Sequence, residues 1–240
     1  LQSSIKNYLQ NDLSNTIPTT YILDVQPSQK SDLKNNFPQL ELFSNTRARL
    51  LAIDNLQIQD EITKGNPNVE RELGREFNLT SRKSLLASEV IVSGNEIIGQ
   101  VGEVSVDEEF AKRANIKIGS QLVFLIQGFE VEVMVTSLRQ TDSRSGLPFF
   151  YFILSPDDLE RFPSVYFGFS YDDTEVQKQL GKYIAQNAPN ISMIETQTIS
   201  LLVIKIISIL SILILAVTIP PLLIATLLIT TLVIFSYSTR

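Results

Sequence analysis

The sequence predicts an α+β fold: a split β-α-β layer with an inserted β-rich lobe, followed by one long α-helix. Three observations lead to this prediction. A strand-helix-strand pattern occurs near each end of the first 198 residues, and short segments of alternating polarity fill the stretch between them. The third is an uncharged run of 30 residues from Ile206 to Phe235.

The first strand-helix-strand pattern begins at Thr19. Thr19–Val25 is rich in β-branched and aromatic residues, which favours a strand. Ser28–Phe37 has the length of a short helix, and Pro38 ends it because the residue before a proline disfavours the helical conformation. Leu40–Phe43 then begins another extended segment. We therefore predict a β-α-β unit here.

A second unit of the same kind ends the polar part of the chain. Ser164–Ser170 is strand-like, and Asp172, Asp173 and Thr174 are N-cap candidates for a helix. Apolar residues then recur at helical spacing, at Val176, Leu180, Tyr183 and Ile184. The helix stops before Pro189, and Ile191–Ile194 suits a last strand. Two β-α-β units on one sheet give a ferredoxin-like layer.

The segment between the two units has the pattern of a β-rich lobe. Gln121–Ile126 and Phe129–Leu138 read as strands joined by a tight turn at Gln127-Gly128. Glu130 and Glu132 alternate with valines, which predicts one wet face and one buried face. Ser105–Arg113 resembles a helix capped by Asp107, and Phe149–Leu154 reads as a buried strand.

Two polar segments, Gly65–Asn68 and Arg139–Pro148, are predicted to be loops. Either an ordinary surface loop or a contact with a partner is consistent with their composition. The domain boundaries follow from these elements. They are residues 1–53 for the first half of the layer, 54–160 for the inserted lobe, 161–198 for the second half, and 199–240 for the stalk and transmembrane helix.

The uncharged run is predicted to cross a membrane as one helix. A hairpin turning at Pro220-Pro221 would leave two segments of 14 residues, and a bilayer core needs roughly 20. A single helix of this length exceeds the bilayer core, so it must tilt or project. A core helix of a soluble domain is the alternative. Pro220 and Pro221 are expected to kink the helix, with Tyr237 as an interfacial anchor.

Composition excludes several kinds of chemistry. The chain has 26 acidic and 20 basic residues, and this excess of acid disfavours nucleic-acid binding. It has no His and no Cys, which excludes a Ser-His-Asp triad and the usual zinc sites. The acidic pairs Asp157-Asp158 and Asp172-Asp173 suit helix caps better than catalysis. We therefore predict no enzyme activity, no metal and no cofactor in this chain.

Several stretches together resemble the FtsX-like (MacB-type) ABC transporter permeases, most closely the YbbP-type branch. The resemblance rests on five segments in order, namely Ile17–Gln29 (IPTTYILDVQPSQ), Arg47–Ile53 (RARLLAI), Arg75–Thr80 (REFNLT), Glu103–Leu122 and Val135–Leu159. Asp142, Phe149 and Phe150 occupy positions that the family usually fills in this way. Ser143 stands where the family often has Trp, and Pro148 where it often has Asn.

The resemblance implies a porter-type extracytoplasmic domain whose helix runs as a stalk into the bacterial plasma (inner) membrane, with residues 1–198 on the periplasmic side. It implies a separate ABC ATPase subunit that binds ATP, a permease dimer and contact with the lipid bilayer. The polar positions inside the matching segments are Arg47, Arg49, Arg75, Glu76, Asn78, Thr80 and Asp142. Arg47, Arg49, Arg75 and Glu76 among them suit an ion-pair network between lobes or a partner contact.

The leading function is that of a permease subunit that couples ATP hydrolysis by a partner to movement of the outer domain, for export or extraction of a hydrophobic or lipid-linked cargo. Its mechanical residues are expected on the helix, at Gln197, Lys205, Pro220 and Pro221. A lipid-facing anchor with an incidental kink is the alternative role for these four. The alternative function is a membrane-anchored binding or sensor domain. The sequence starts at Leu1 without a signal-peptide pattern, so we expect a piece of a longer protein.

Overall fold

A computed structural model describes residues 17–95 and 100–238 of the chain. The chain divides into two compact units, one that extends to Ile194 and one that contains the helix from Glu195 onward, and each is described by itself. In chain order the elements are β1 (Thr20–Val25), α1 (Pro27–Asn36), β2 (Glu41–Ile53), β3 (Leu56–Gln57), α2 (Ile58–Thr63), α3 (Pro67–Leu73), β4 (Glu76–Ser81), β5 (Glu89–Gly94), β6 (Glu103–Asp107), α4 (Glu108–Ala114), β7 (Gln121–Ile126), β8 (Phe129–Thr141), β9 (Phe152–Leu154), α5 (Pro156–Leu159), β10 (Val165–Ser170), α6 (Thr174–Asn187), β11 (Ser192–Glu195) and α7 (Thr196–Ser238).

The first and last strands of the globular unit form one layer in the order β11-β1-β10-β2. β10 runs antiparallel to both β1 and β2. The two helices of the β-α-β units, α1 and α6, cover one face of this layer. Their shared core is apolar and buried, and it contains Ile22, Val25, Leu33, Phe37, Leu40, Leu180, Ile184, Ala188 and Ile191.

Local sequence explains where both helices of the layer begin. Gln26 and Gln29 form a capping box at the start of α1, and Pro27 occupies its first turn, where a missing N–H costs nothing. At α6 the Asp173 carboxylate accepts hydrogen bonds from the backbone N–H groups of Glu175 and Val176. The predicted cap at Asp173 is therefore confirmed.

The inserted lobe is a closed six-stranded β-barrel. β2 pairs with β4, then β9, β6, β8 and β7 follow, and β7 pairs back onto β2. β2 belongs to both parts of the unit, because residues 41–45 pair with β10 and residues 46–53 pair with β4 and β7. One long strand thus fixes the barrel to the layer.

The barrel interior is filled by alternate residues of its strands, as a period of two requires. On β8 the valines Val131, Val133 and Val135 are buried, while Glu130 and Glu132 point outward, as predicted. Aromatic rings fill the centre. The ring of Phe152 lies 5.3 Å from that of Phe77, 5.3 Å from that of Phe110 and 4.9 Å from that of Phe124, centroid to centroid.

Two predicted elements of the lobe need correction. Ser105–Arg113 is not one helix, because Ser105–Asp107 ends strand β6 and the helix begins at Glu108. Asp107 does cap it, through the N–H of Phe110 at 3.0 Å. The predicted strand Phe149–Leu154 is also shorter, since only Phe152–Leu154 pairs and Phe149 is 44% exposed. Aromatic composition alone could not show that residues 149–151 precede the strand and do not belong to it.

The predicted loop Arg139–Pro148 begins later than expected and packs on the layer. Strand β8 continues to Thr141, so Arg139 lies inside the strand. The loop then crosses the face of the layer opposite α1 and α6. There the Tyr21 hydroxyl donates a hydrogen bond to the Gly146 carbonyl at 2.5 Å, and the Phe150 ring stacks 5.3 Å from that of Phe167. The loop therefore ties the barrel to the layer a second time.

From Thr196 to Ser238 the described part of the second unit is a single helix, α7, with both prolines inside it. The prediction of one helix rather than a hairpin is confirmed. Lys205–Phe235 is the one stretch in the described part of the chain that is long and apolar enough to cross a membrane. Its apolar side chains are exposed, whereas a soluble core helix would bury them. The threonine hydroxyls at Thr218 and Thr226 donate to carbonyls of the preceding turn, which satisfies them without water.

Candidate functional site

Four of the polar positions singled out in the sequence lie together on the outer wall of the barrel. In the pairing of β2 with β4, Arg47 stands opposite Asn78 and Arg49 stands opposite Glu76. All four side chains are exposed, because they alternate with the buried residues of the barrel core. The pairing of Arg49 with Glu76 places opposite charges side by side, which contributes at most about 1 kcal/mol at an exposed site.

The remaining polar positions are dispersed. Arg75 is exposed, and its guanidinium lies 5.2 Å from the ring centroid of Phe77 and 5.0 Å from that of Tyr151, a cation–π arrangement. Thr80 lies on the same face of β4 as Glu76 and Asn78, opposite the core residue Leu79, but it is buried. Asp142 lies just after β8, where its N–H donates to the Ser88 carbonyl at 2.7 Å. The structure thus brings four of the seven positions together and leaves three apart.

A buried charge cluster, which the sequence did not reveal, lies on the face of β8 that points away from the barrel core. The Glu89 carboxylate accepts from Arg82 Nη2 at 2.5 Å, from Arg139 Nε at 3.4 Å and from the Leu86 N–H at 3.0 Å. Both arginines and the glutamate are almost fully buried. The pairing of β8 with β6 shifts register after Val135, so the period of the buried valines does not continue to Arg139 and gave no signal for its position.

Arg139 uses its guanidinium to hold three parts of the fold together. Besides Glu89 on β5, it donates to the Ser105 carbonyl on β6 at 2.7 Å and to the Phe150 carbonyl in the loop that crosses the layer. Burial lowers the pKa of Arg139 to about 10, opposed by the nearby charge of Glu89. The pKa of Arg82 is lowered for the same reason. Both remain charged at neutral pH.

One of the acidic pairs is divided between two different roles. Asp158 is buried and accepts a hydrogen bond from the Gly102 N–H at 2.8 Å, while Asp157 is exposed. Burial raises the pKa of Asp158, and the Gly102 N–H opposes that rise. Asp158 therefore fixes the turn before β6 rather than capping α5. Within residues 17–95 and 100–238 no group of three acidic side chains is placed to hold a metal ion.

The four predicted mechanical positions all fall on α7. Pro220 and Pro221 lie well inside the helix, where the absent N–H groups remove the bonds to the carbonyls of Ala216 and Val217. Lys205 is exposed and begins the apolar stretch. Gln197 lies in the first turn of the helix, and its side chain is outside the described part of the structure.

Comparison with known proteins gives one clear relative by sequence. Over 168 residues the chain is 31% identical to YbbP, an uncharacterized ABC transporter permease of Escherichia coli (strain K12). The chain is a relative of ABC transporter permeases. The resemblance predicted from its sequence motifs is thereby confirmed. The match covers 68% of this chain but only 20% of YbbP, so the chain spans about a fifth of that permease. No protein-family model matches the chain.

Solved structures extend the likeness to the fold. The periplasmic region of MacB from Actinobacillus actinomycetemcomitans aligns with a TM-score of 0.51 at 11% identity, over 82% of this chain and 97% of that one. This permease relative therefore has a mixed fold of helices and strands like the MacB periplasmic region, followed by a long apolar helix. A domain of a permease protein from Porphyromonas gingivalis aligns more weakly, with a TM-score of 0.40 at 9% identity over 73% of this chain and 88% of that one.

Proposed function

We propose that this chain is part of the permease subunit of an ABC transporter. The observation that carries the proposal is the 31% identity with YbbP across most of the chain. The fold likeness to a periplasmic region and the single long apolar helix both agree with it. The globular unit would lie on the extracytoplasmic side of the bacterial inner membrane, and α7 would cross that membrane.

ATP hydrolysis would take place on a partner subunit and not on this chain. The chain would bind no cofactor, and a separate ABC ATPase subunit would hydrolyse ATP in the cytoplasm. The permease would act as a dimer in the lipid bilayer and would not bind nucleic acid, in line with its excess of 26 acidic over 20 basic residues. Its cargo would be a hydrophobic or lipid-linked molecule that is exported or extracted from the membrane.

Helix α7 would transmit the movement. The chain passes from β11, which ends at Glu195, directly to α7, which begins at Thr196, with no loop residue between them. A continuous helix resists bending more than a loop does, so it suits mechanical transmission. Pro220 and Pro221 would set the shape of this helix inside the bilayer. The globular layer would be of the ferredoxin-like, porter type, which its order β11-β1-β10-β2 supports.

Co-purification with an ATPase tests the proposal. The full-length protein that contains this chain is expressed with an ABC ATPase of the same organism and reconstituted in nanodiscs. We expect a stoichiometric complex. This chain has no cysteine, so once any cysteine in the rest of the protein is replaced, Gln179→Cys on the exposed side of α6 gives one spin label per permease. The distance between the two labels of a dimer is expected to change when ATP is added.

The helix variants make this test specific. Replacing Pro220 and Pro221 with Ala is expected to reduce the ATP-dependent distance change and to leave the complex intact, whereas Leu222→Ala is expected to leave both unchanged. Absence of a bound ATPase, together with label distances that ignore ATP, would contradict the proposal. The alternative, a membrane-anchored sensor domain without a transport role, would then account better for the chain.

A further inference from the structure

A polar cleft of about 470 Å³ lies inside the globular unit, between the layer and the barrel. One side is formed by α1, β2 and β10, and the other by the end of β4 and the segment around α5. The polar side chains that line it are Lys30, Ser44, Ser81, Lys83, Glu160, Ser164 and Tyr166. None of them belongs to the outer-wall group, the buried charge cluster or α7.

The floor of the cleft presents hydroxyl groups. Ser44 Oγ on β2 and Ser81 Oγ at the end of β4 lie 2.9 Å apart, and the Ser81 N–H donates to Ser44 Oγ at 3.1 Å. In such a pair only one hydroxyl donates to the other, so the second O–H remains available to a bound molecule. The same pair joins the two walls, which keeps the floor in place.

The walls carry two lysines without a carboxylate partner. Among the described residues, neither Lys30 nor Lys83 forms an ion pair, as is also true of most other lysines of the chain. The Lys30 ammonium lies 4.4 Å from the ring centroid of Tyr166, which holds it at the cleft. Glu160 supplies the one carboxylate, so the lining has a net charge of +1 within an acidic chain.

We propose that this cleft binds a small polar molecule that carries a phosphate group. A phosphate offers several acceptor oxygens in a tetrahedral arrangement, enough for two ammonium groups and a hydroxyl at once, whereas a carboxylate has only two oxygens. The volume exceeds that of bare phosphate and is typical of small-molecule sites, so the phosphate is attached to a polar group such as glycerol or a sugar. The source is either a soluble phosphate ester or a lipid headgroup.

The test uses the full chain in a neutral detergent and measures binding of glycerol 3-phosphate by calorimetry. We expect saturable binding that Lys30→Gln and Lys83→Gln each weaken about tenfold or more, the scale of a charge-assisted hydrogen bond. Glu160→Gln is expected to tighten binding, because it removes the one negative charge of the lining. Lys112→Gln, which changes an exposed lysine paired with Glu108 on α4, is the matched control and is expected to change nothing.

A second titration identifies the source of the phosphate. Short-chain phosphatidylglycerol is added to the same micelles, and each variant is first shown to keep the wild-type melting temperature. Lysine-dependent binding of glycerol 3-phosphate supports the site with a soluble ligand, and lysine-dependent binding of the lipid alone supports it with a headgroup. The proposal is overturned if neither probe binds in a manner that depends on Lys30 and Lys83, or if Lys112→Gln weakens binding equally.

Discussion

Glu89→Gln is expected to lower the free energy of unfolding of the globular unit by about 3–5 kcal/mol. The carboxylate is the shared partner of two buried arginines, at 2.5 Å from Arg82 and 3.4 Å from Arg139. Without its charge, two positive groups remain buried with no ion partner among the described residues. The loss affects Arg82 more than Arg139, because the Nε and Nη1 atoms of Arg82 are buried without a hydrogen-bond partner in the described structure.

Urea unfolding followed by tyrosine fluorescence measures this loss, because the chain has no tryptophan. Glu132→Gln is the matched control: its side chain is on the exposed face of β8, and the expected change is about 0.5 kcal/mol or less. If Glu89→Gln does not fold, the double variant Glu89→Gln, Arg82→Leu recovers part of the stability by removing one unpaired charge. Equal stability of the Glu89 and Glu132 variants would contradict the role of the cluster.

Phe152→Ala is expected to cost about 3–5 kcal/mol, the second of the two largest effects. The ring is fully buried at the centre of the barrel, and its removal leaves a cavity between Phe77, Phe110 and Phe124. Phe149→Ala, three residues earlier, is the control. Its ring is 44% exposed and makes one edge contact with Tyr151, so the expected cost is about 1 kcal/mol or less.

The same urea titration compares the two phenylalanine variants. A closed barrel leaves no route for the surrounding strands to collapse into the space left by Phe152, because each strand is already paired on both sides. An open β-rich lobe would relax and lose much less. Similar midpoints for the two variants would therefore contradict a closed, aromatic-filled barrel.

Elements set by local pattern were predictable from the sequence. The β7–β8 hairpin follows from its Gln-Gly turn and from alternation, and α6 follows from Asp173 and the spacing of its apolar residues. Helix α7 was predictable because an apolar run of 30 uncharged residues favours one helix long enough to cross a membrane. In each of these the information lies within neighbouring residues, so a single sequence is enough.

Closure of the barrel was not predictable. It depends on parallel pairing of β4 with β9 and of β6 with β8, which join segments far apart in the chain. Local alternation says which face of a strand is buried but not which strand it pairs with. For the same reason the sequence suggested Arg49 and Glu76 as polar positions but did not place them side by side. Arg139 was read as a loop residue because the polar residues from 139 onward gave no sign that β8 continues to Thr141.

The central claim is that α7 crosses the membrane once without interruption at Pro220-Pro221, and cysteine labelling tests it most directly. The chain has no native cysteine, so Ser192→Cys, Ile219→Cys, Leu222→Cys and Ser238→Cys are each unique targets for a membrane-impermeant maleimide in oriented vesicles. We expect labelling at 192 and 238 from opposite sides and protection at 219 and 222 from both. Ready labelling at 219 and 222, with 192 and 238 reached from the same side, would contradict the account.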